Sequence, residues 1–319
     1  VVHYVIHRIL QAIPTMFGIT ALSFLLMHII PGGPAVVMLG DKATPQLIAQ
    51  INRSLGLDKP LYVQYAIWLW HLLHGNFGYS YTYHQNVISL IVENLPRTLI
   101  LVVVAITLSH IVAIGLGVIQ AIRREKIVDN LITIVVYFLY SMPTFWLGMI
   151  LISIFSINLH WLPSGGVANS PEQNPTLLSE LDHIVLPGVV LILVTIPGWS
   201  RYLRSSMIET LIQDYIRTAH AKGLKRSQVL LKHALRNSLL PLVTLAGMSV
   251  PSLFSGALII EMIFNYPGMG LLFWNAAQNR DYPILLGIVT LVGVMTIVGN
   301  LLADCVYSVL DPRIKYSHQ

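Results

Sequence analysis

The sequence predicts an all-α integral membrane protein with six transmembrane helices, and three observations carry that prediction. Apolar residues make up 55% of the chain and charged residues 10%, with a mean hydropathy of +0.70, values that a soluble core of 319 residues would not need. Nearly uncharged runs recur that are long enough, at about 1.5 Å per residue, to cross a hydrocarbon core of about 30 Å. Lysine and arginine are shared unevenly between the segments that separate those runs. The net charge of +5 is dispersed among apolar spans rather than gathered into a tract, so membrane orientation accounts for it and nucleic acid is not an expected partner.

The first span is expected from about residue 9 to 30, after His7 and Arg8, and Pro31-Gly32-Gly33-Pro34 ends it. It exceeds a signal-peptide core in length and no small-residue cleavage site follows, so it reads as a transmembrane helix. Residues 35–95 are more polar. There Thr44-Pro45 opens a helix that Gly56 closes, and Asp58-Lys59-Pro60 opens another that Gly75 closes. The second, LYVQYAIWLWHLL, is too short to span and carries Tyr62, Tyr65, Trp68 and Trp70, which suits a helix lying at the membrane interface. Further spans are expected at about 98–122, 127–157, 184–205, 238–262 and 284–308. With a cytoplasmic N-terminus, 14 of the 19 Lys and Arg residues fall on the inside, so both termini are expected in the cytoplasm and 35–95 outside it. The division that follows is 1–94 for the first helix and the extracytoplasmic segment, 95–310 for the transmembrane core, and 311–319 for a cytoplasmic tail. Prolines 187, 197, 241 and 251 permit bends in the fourth and fifth spans.

The middles of the spans are almost empty of ionisable groups. Asp129 begins a span, Glu261 ends one and Asp304 lies near the inner end of the last, leaving only His110 near a midplane. An ion-driven carrier would more often place carboxylates there, so the driving energy is expected to come from another chain. There is no phosphate-binding G-x-x-x-x-G-K-[ST], no H-E-x-x-H and no G-x-S-x-G, so neither a nucleotide site nor a catalytic residue is expected. His28 and His110 beside Ser23 and Ser109 form no hydrolase motif, and interhelical hydrogen bonding is their ordinary use. His71, His74 and His84 have no cysteine or carboxylate cluster with them and read as solvated rather than metal-binding. Cys305, the single cysteine, reads as a small packing residue.

The polar island between the fourth and fifth spans, Ile208 to Pro241, is the most informative stretch. Ile208, Leu211, Ile212, Tyr215, Ile216 and Ala219 recur at the spacing of one helical face. Gly223 is placed to stop that helix in the left-handed conformation, and Ser227 to cap a second one with apolar residues Leu230, Leu231, Ala234 and Leu235. By charge distribution this helix–glycine–helix segment belongs on the cytoplasmic side.

Its wording, Arg217-Thr218-Ala219-His220-Ala221-Lys222-Gly223-Leu224 followed by HALRNSLLP at 233–241, resembles the cytoplasmic loop of binding-protein-dependent ABC importer permeases of the peptide class. The blocks Leu55-Gly56-Leu57-Asp58, Gly75-Asn76-Phe77-Gly78, Trp161-Leu162-Pro163, Glu261-Met262-Ile263-Phe264, Tyr266-Pro267-Gly268-Met269-Gly270, Arg280-Asp281-Tyr282-Pro283, Asn300 to Asp304 and Asp311-Pro312-Arg313 are similar to that family in the same order, over essentially the whole chain. One position departs from it: the wider family has a glutamate where Arg217 stands.

The resemblance implies a type I ABC importer permease fold and the first permease subunit of an oligopeptide or dipeptide importer. It implies as partners a second homologous permease, two ATPase subunits and an extracytoplasmic substrate-binding protein, with ATP and magnesium held by the ATPases and no cofactor in this chain. Arg217, Thr218, Ala219, Lys222, Gly223 and Leu224 become the expected ATPase-coupling residues. Glu261, Pro267, Gly268, Gly270, Asp304, Asp311, Pro312 and Arg313 are motif positions without an assigned role, with Pro267-Gly268 expected in a tight outer turn. A nickel importer of the same family and an ion-driven secondary transporter are the alternative readings.

Overall fold

The computed structural model describes residues 2–29, 33–54, 56–167, 177–239, 242 and 250–310. In chain order its helices are α1 (Val2–Ile29), α2 (Gly33–Leu39), α3 (Pro45–Ser54), α4 (Leu61–Leu73), α5 (Val87–Ile122), α6 (Ile127–Ser141), α7 (Thr144–Leu151, running on as a π-helical stretch Ile152–Asn158), α8 (Leu177–Leu211), α9 (Asp214–Ala221), α10 (Arg226–Gln228, running on as a π-helical stretch Val229–Leu235), α11 (Val250–Ile263), α12 (Met269–Gln278) and α13 (Tyr282–Leu310). They group into two units, Val1–Thr98 with Pro267–Val298 and Leu99–Tyr266 with Gly299–Gln319.

In the first unit, Thr44 Oγ1 accepts the Leu47 N–H at 3.4 Å at the start of α3, and Gly56 at φ +70° follows its end. Pro60 precedes α4 and Gly75 at φ +79° follows it. No residue of α4 is buried, and Tyr62 and Trp70 are 75% and 64% exposed. The helix lies along α1, with Tyr65 OH 2.8 Å from Thr20 Oγ1 and its ring edge-on to Phe17. The core of this unit joins Val87, Leu90 and Ile91 of α5 to Met269, Leu272 and Ala276 of α12 and Ile284, Leu285 and Ile288 of α13. Beside it the fully buried Asp281 carboxylate accepts hydrogen bonds from Ser80 Oγ at 2.7 Å and Thr82 N–H at 2.9 Å, which anchors the 79–86 loop.

Burial, with the Asp281 charge adding to it, pushes the neighbouring Tyr81 phenol from its ordinary 10.0 up to about 12. Folding therefore favours the neutral phenol. The stability it contributes is complete below about pH 10 and is lost as pH rises towards 12. Tyr81→Phe is expected to flatten this alkaline loss in a thermal-midpoint profile taken from pH 9 to 12.

In the second unit Leu101, Ala105, Leu147, Leu186, Val190, Ala257, Ile260 and Phe264 form one core, and a second surrounds Leu203 and Met207 of α8. At Gly117 an added Cβ would stand 3.0 Å from Leu203 Cβ and from Ser200 O, so α5 and α8 approach closely there. α8 continues through both Pro187 and Pro197.

The span expected at 127–157 is broken: α6 and the helix from Thr144 to Asn158 meet at 101°. Met142 and Pro143 are extended, at ψ 128° and 134°, because proline disfavours the helical conformation of its predecessor and supplies no N–H. Beyond it, Gly166 N–H donates to Phe264 O at 2.8 Å, and an added Cβ on Gly165 would fall 1.8 Å from the same oxygen. Gly165→Ala is expected to cost about 3 kcal/mol, the upper end for overpacking, read as a lower thermal midpoint of the purified protein.

Among the described residues four helices, at Leu10–His28, Val87–Ile122, Leu181–Leu211 and Tyr282–Leu301, are long and apolar enough to cross a membrane, and the bent pair makes a fifth if it is one span. α5 begins at Val87 rather than near 98 and runs through Pro96, so its 36 residues reach about 54 Å, well beyond a hydrocarbon core. Of the span expected at 238–262, residues 240, 241 and 243–249 lie outside the described residues, Pro241 among them.

Candidate functional site

The polar island folds as two short helices around a glycine, with boundaries that differ from those its periodicity suggests. α8 ends at Leu211, Gln213 is extended at φ −72° and ψ 149°, and α9 begins at Asp214. The apolar face is therefore not continuous: Ile212 and Tyr215 are 65% and 44% exposed, whereas Ile216 and Ala219 are buried.

After α9 the chain closes a Schellman turn. The Gly223 N–H donates to His220 O at 2.9 Å and the Leu224 N–H to Ala219 O at 3.4 Å, with Gly223 at φ +76°. Nothing stands within 4 Å of where a Gly223 Cβ would be, so the requirement for glycine is conformational, not steric. The next helix is capped by Lys225, whose N–H donates to Gln228 Oε1 at 3.2 Å, so Ser227 is not the cap. The π-helical stretch, with its i to i+5 repeat, turns Val229 and Ala234 inward and leaves Leu231 62% exposed, where an α-helical register would have buried Leu231.

Ile216 and Ala219 sit in one cluster with Val229, Ala234, Leu203 and Met207. At roughly 25 cal/mol per Å² of apolar surface removed from water, two such side chains stabilise the docking of α9 by a few kcal/mol. The returning helix is tied to α8 by Ser238 Oγ, which donates to Thr210 Oγ1 at 2.9 Å, and by Ser206 Oγ, which donates to Ser238 O at 3.1 Å. Arg217, Thr218, Lys222, Gly223 and Leu224 remain on the exposed side. Ala219, expected among the contact residues, faces inward and is 5% exposed. The ion pair of Arg217 with Asp214, at 3.5 Å between side chains 77% and 95% exposed, contributes little and leaves the guanidinium available.

Behind this loop lies an ion pair that sequence reading passed over. Asp129 accepts from Arg204 Nε at 2.9 Å and Nη2 at 2.7 Å, a two-pronged contact, and from the Glu125 N–H at 2.9 Å. Asp129 is buried at the start of α6. The signal in the sequence was a carboxylate in the first turn of an otherwise apolar helix and, on α8, a guanidinium just after its apolar run. Packing and hydrogen bonds thus join the loop to α8, and the ion pair joins α8 to α6.

Two family models match the chain. The one for the binding-protein-dependent transport system inner membrane component covers residues 113–316, and the one for the N-terminal part of such membrane components covers residues 1–102. The chain belongs to this family. This binding-protein-dependent membrane component is 42% identical over 315 residues to the oligopeptide transport system permease protein AppB of Bacillus subtilis, covering 98% of this chain and 99% of that protein. It is 39% identical over 334 residues to the dipeptide transport system permease protein DppB of Escherichia coli, covering 98% of each. Its fold is similar to that of a chain in inward-facing structures of the MetNI methionine ABC transporter, with a TM-score of 0.57 at 16% identity, over 70% of this chain and 97% of the other.

The remaining motif positions of this family member fall in two places. Glu261 is fully buried near the end of α11, and its carbonyl accepts the Tyr266 N–H at 2.8 Å. The turn after α11 is made by Asn265 at φ +46°, not by Pro267-Gly268: Gly268 is extended at φ −121° and leads into α12, where Gly270 is buried. Asp304 is on α13, at a position whose side chain is outside the description, and Asp311, Pro312 and Arg313 lie outside the described residues. Among the described residues neither His28 nor His110 hydrogen-bonds a serine. The His110 Nδ1 lies 2.7 Å from the carbonyl of Ile106 in its own helix, and its ring stands 4.0 Å from that of Trp199.

Proposed function

We propose that the chain is the transmembrane permease subunit of an ATP-driven importer of di- or oligopeptides, forming half of the translocation pathway. The observation that carries this reading is the exposed α9–Gly223 turn, held on its inner face by Ile216 and Ala219 and joined through α8 to the Asp129–Arg204 pair. Such an element transmits a push from outside the chain to the membrane helices without deforming first. Identities of 42% and 39% to oligopeptide and dipeptide permeases across nearly whole chains support peptide over nickel as cargo.

In this reading the complex contains a second, homologous permease, two cytoplasmic ATPases that hold ATP and magnesium, and an extracytoplasmic binding protein. The chain crosses the membrane six times with both termini in the cytoplasm, the 1–94 segment carrying the outer helices, 95–310 the core and 311–319 the tail. ATP-driven closure of the ATPases moves α9 and, through α8, biases the bundle between inward and outward opening, because nucleotide binds the two states with different affinity.

Purification of the chain with its partners and reconstitution in proteoliposomes tests this. The expected result is an ATPase whose turnover rises when peptide and binding protein are both present. Uptake that persists without ATP and follows the proton gradient would replace the reading with a secondary carrier.

A further inference from the structure

A cavity of about 500 Å³ opens between α5, α6 and α8, lined by Gln120, Thr133, Tyr137, Tyr140, Arg201 and Arg204 among others. That volume falls in the range of small-ligand sites. Two features of it lack a partner among the described residues. The Arg201 guanidinium lies over the rings of Tyr137 at 4.9 Å and Tyr140 at 5.3 Å, and no carboxylate pairs with it among the described residues. Gln120 is 1% exposed and its Oε1 has no hydrogen-bond partner among the described residues. Turning the amide round would set Oε1 against the Asp129 carboxylate, whose Oδ1 lies 3.5 Å from Nε2, whereas in the observed orientation Nε2 faces that carboxylate and donates to Thr133 Oγ1 at 3.0 Å.

The second cation of the cavity, Arg204, is already neutralised by Asp129, which leaves Arg201 as its uncompensated charge. Arg201 stands ten residues before the end of α8, and Tyr137 ten residues after the start of α6, so this wall is about 15 Å from both helix ends. α8 runs past the inner end of the span expected at 184–205, which lies only four residues, about 6 Å, beyond Arg201, so this wall lies towards the cytoplasmic side, where the exposed Arg201 side chain faces water or a ligand.

We propose that this cavity is a substrate subsite in the translocation pathway, in which Arg201 takes the C-terminal carboxylate of a transiting peptide and Gln120 Oε1 accepts a peptide N–H. It rests on the reading of the chain as a peptide permease. The guanidinium presents two parallel N–H donors to a carboxylate, and the two tyrosine rings hold it in place. The site is indifferent to the peptide's side chains, since the carboxylate and the amide are common to all peptides.

The test is uptake of labelled trialanine and trialanine amide by the whole importer in proteoliposomes, each at a concentration that saturates the binding protein. Arg201→Gln is expected to lower the ratio of acid to amide uptake about tenfold, the size of one charge-assisted two-pronged contact. Arg201→Lys, which keeps the charge and loses the second prong, gives an intermediate ratio, and it reads the site even where the glutamine variant does not assemble. An unchanged ratio in the lysine variant, and in the glutamine variant where it assembles, overturns the proposal. So does a defect seen in vesicles containing phosphatidylglycerol and absent in phosphatidylcholine alone, which would assign Arg201 to a lipid phosphate. Wild-type importer that takes up neither peptide overturns the functional reading itself, and the subsite with it.

Discussion

Gly223→Val in the assembled importer is expected to leave ATP hydrolysis running while uptake falls about tenfold or more. Gly223 sits at φ +76° with open space around its Cα, so a new side chain meets no neighbour and the whole penalty is backbone strain. For a β-branched residue in the left-handed region that strain is about 1–3 kcal/mol, enough to favour a relaxed turn in which the Schellman hydrogen bonds to His220 and Ala219 are lost. The exposed residues Lys222 and Leu224 then point elsewhere, and the push on α9 no longer reaches α8. The measurement is the ratio of peptide transported to ATP hydrolysed. Gly223→Asn, which tolerates positive φ better, should retain more of that ratio than valine. Normal coupling in a correctly inserted valine variant would show that the turn is not part of the transmission.

Asp129→Ala is expected to destabilise the permease by about 3 kcal/mol. It removes both acceptors from Arg204 and leaves a cation with only 31% of its side chain exposed, while the Glu125 N–H loses its partner as well. Breaking a buried pair on one side costs about 3–5 kcal/mol, and the partial exposure of Arg204 places this case at the lower end. The thermal midpoint of the purified complex reads the loss. Asp129→Leu combined with Arg204→Met should recover at least half of it, because removing both charges leaves nothing unpaired. A double variant no more stable than Asp129→Ala would mean that the pair acts through something other than its charge. If the pair also transmits motion from α8 to α6, the double variant will be stable yet poorly coupled, a separation that midpoint and uptake measured together will reveal.

These two sites differ in how far sequence reading could reach. The stop at Gly223 was legible because one residue type tolerates positive φ, and the same logic located Gly56 and Gly75. The inward and outward faces of the loop were not. The extended residue Gln213 and the π-helical stretch at Val229–Leu235 each shift the register, so an extrapolated α-helical face places Tyr215 and Leu231 inside when they are outside. The break at Met142-Pro143 did carry a local signal, the proline itself, and was overlooked because the flanking residues are uniformly apolar and hydropathy records only length.

Residence in a membrane, the positions of several helix ends and the ordered blocks of the family follow from the sequence alone, because transfer free energy and backbone preference belong to each residue and its near neighbours. Pairing does not. Asp129 and Arg204 stand 75 residues apart, Ser80 and Asp281 201 apart, and Thr98 accepts the Met269 N–H from a distance of 171. Only the packing of distant helices brings such groups within the roughly 3 Å at which a hydrogen bond forms, and so only the tertiary structure decides which charges are neutralised and which, like Arg201, remain for a ligand.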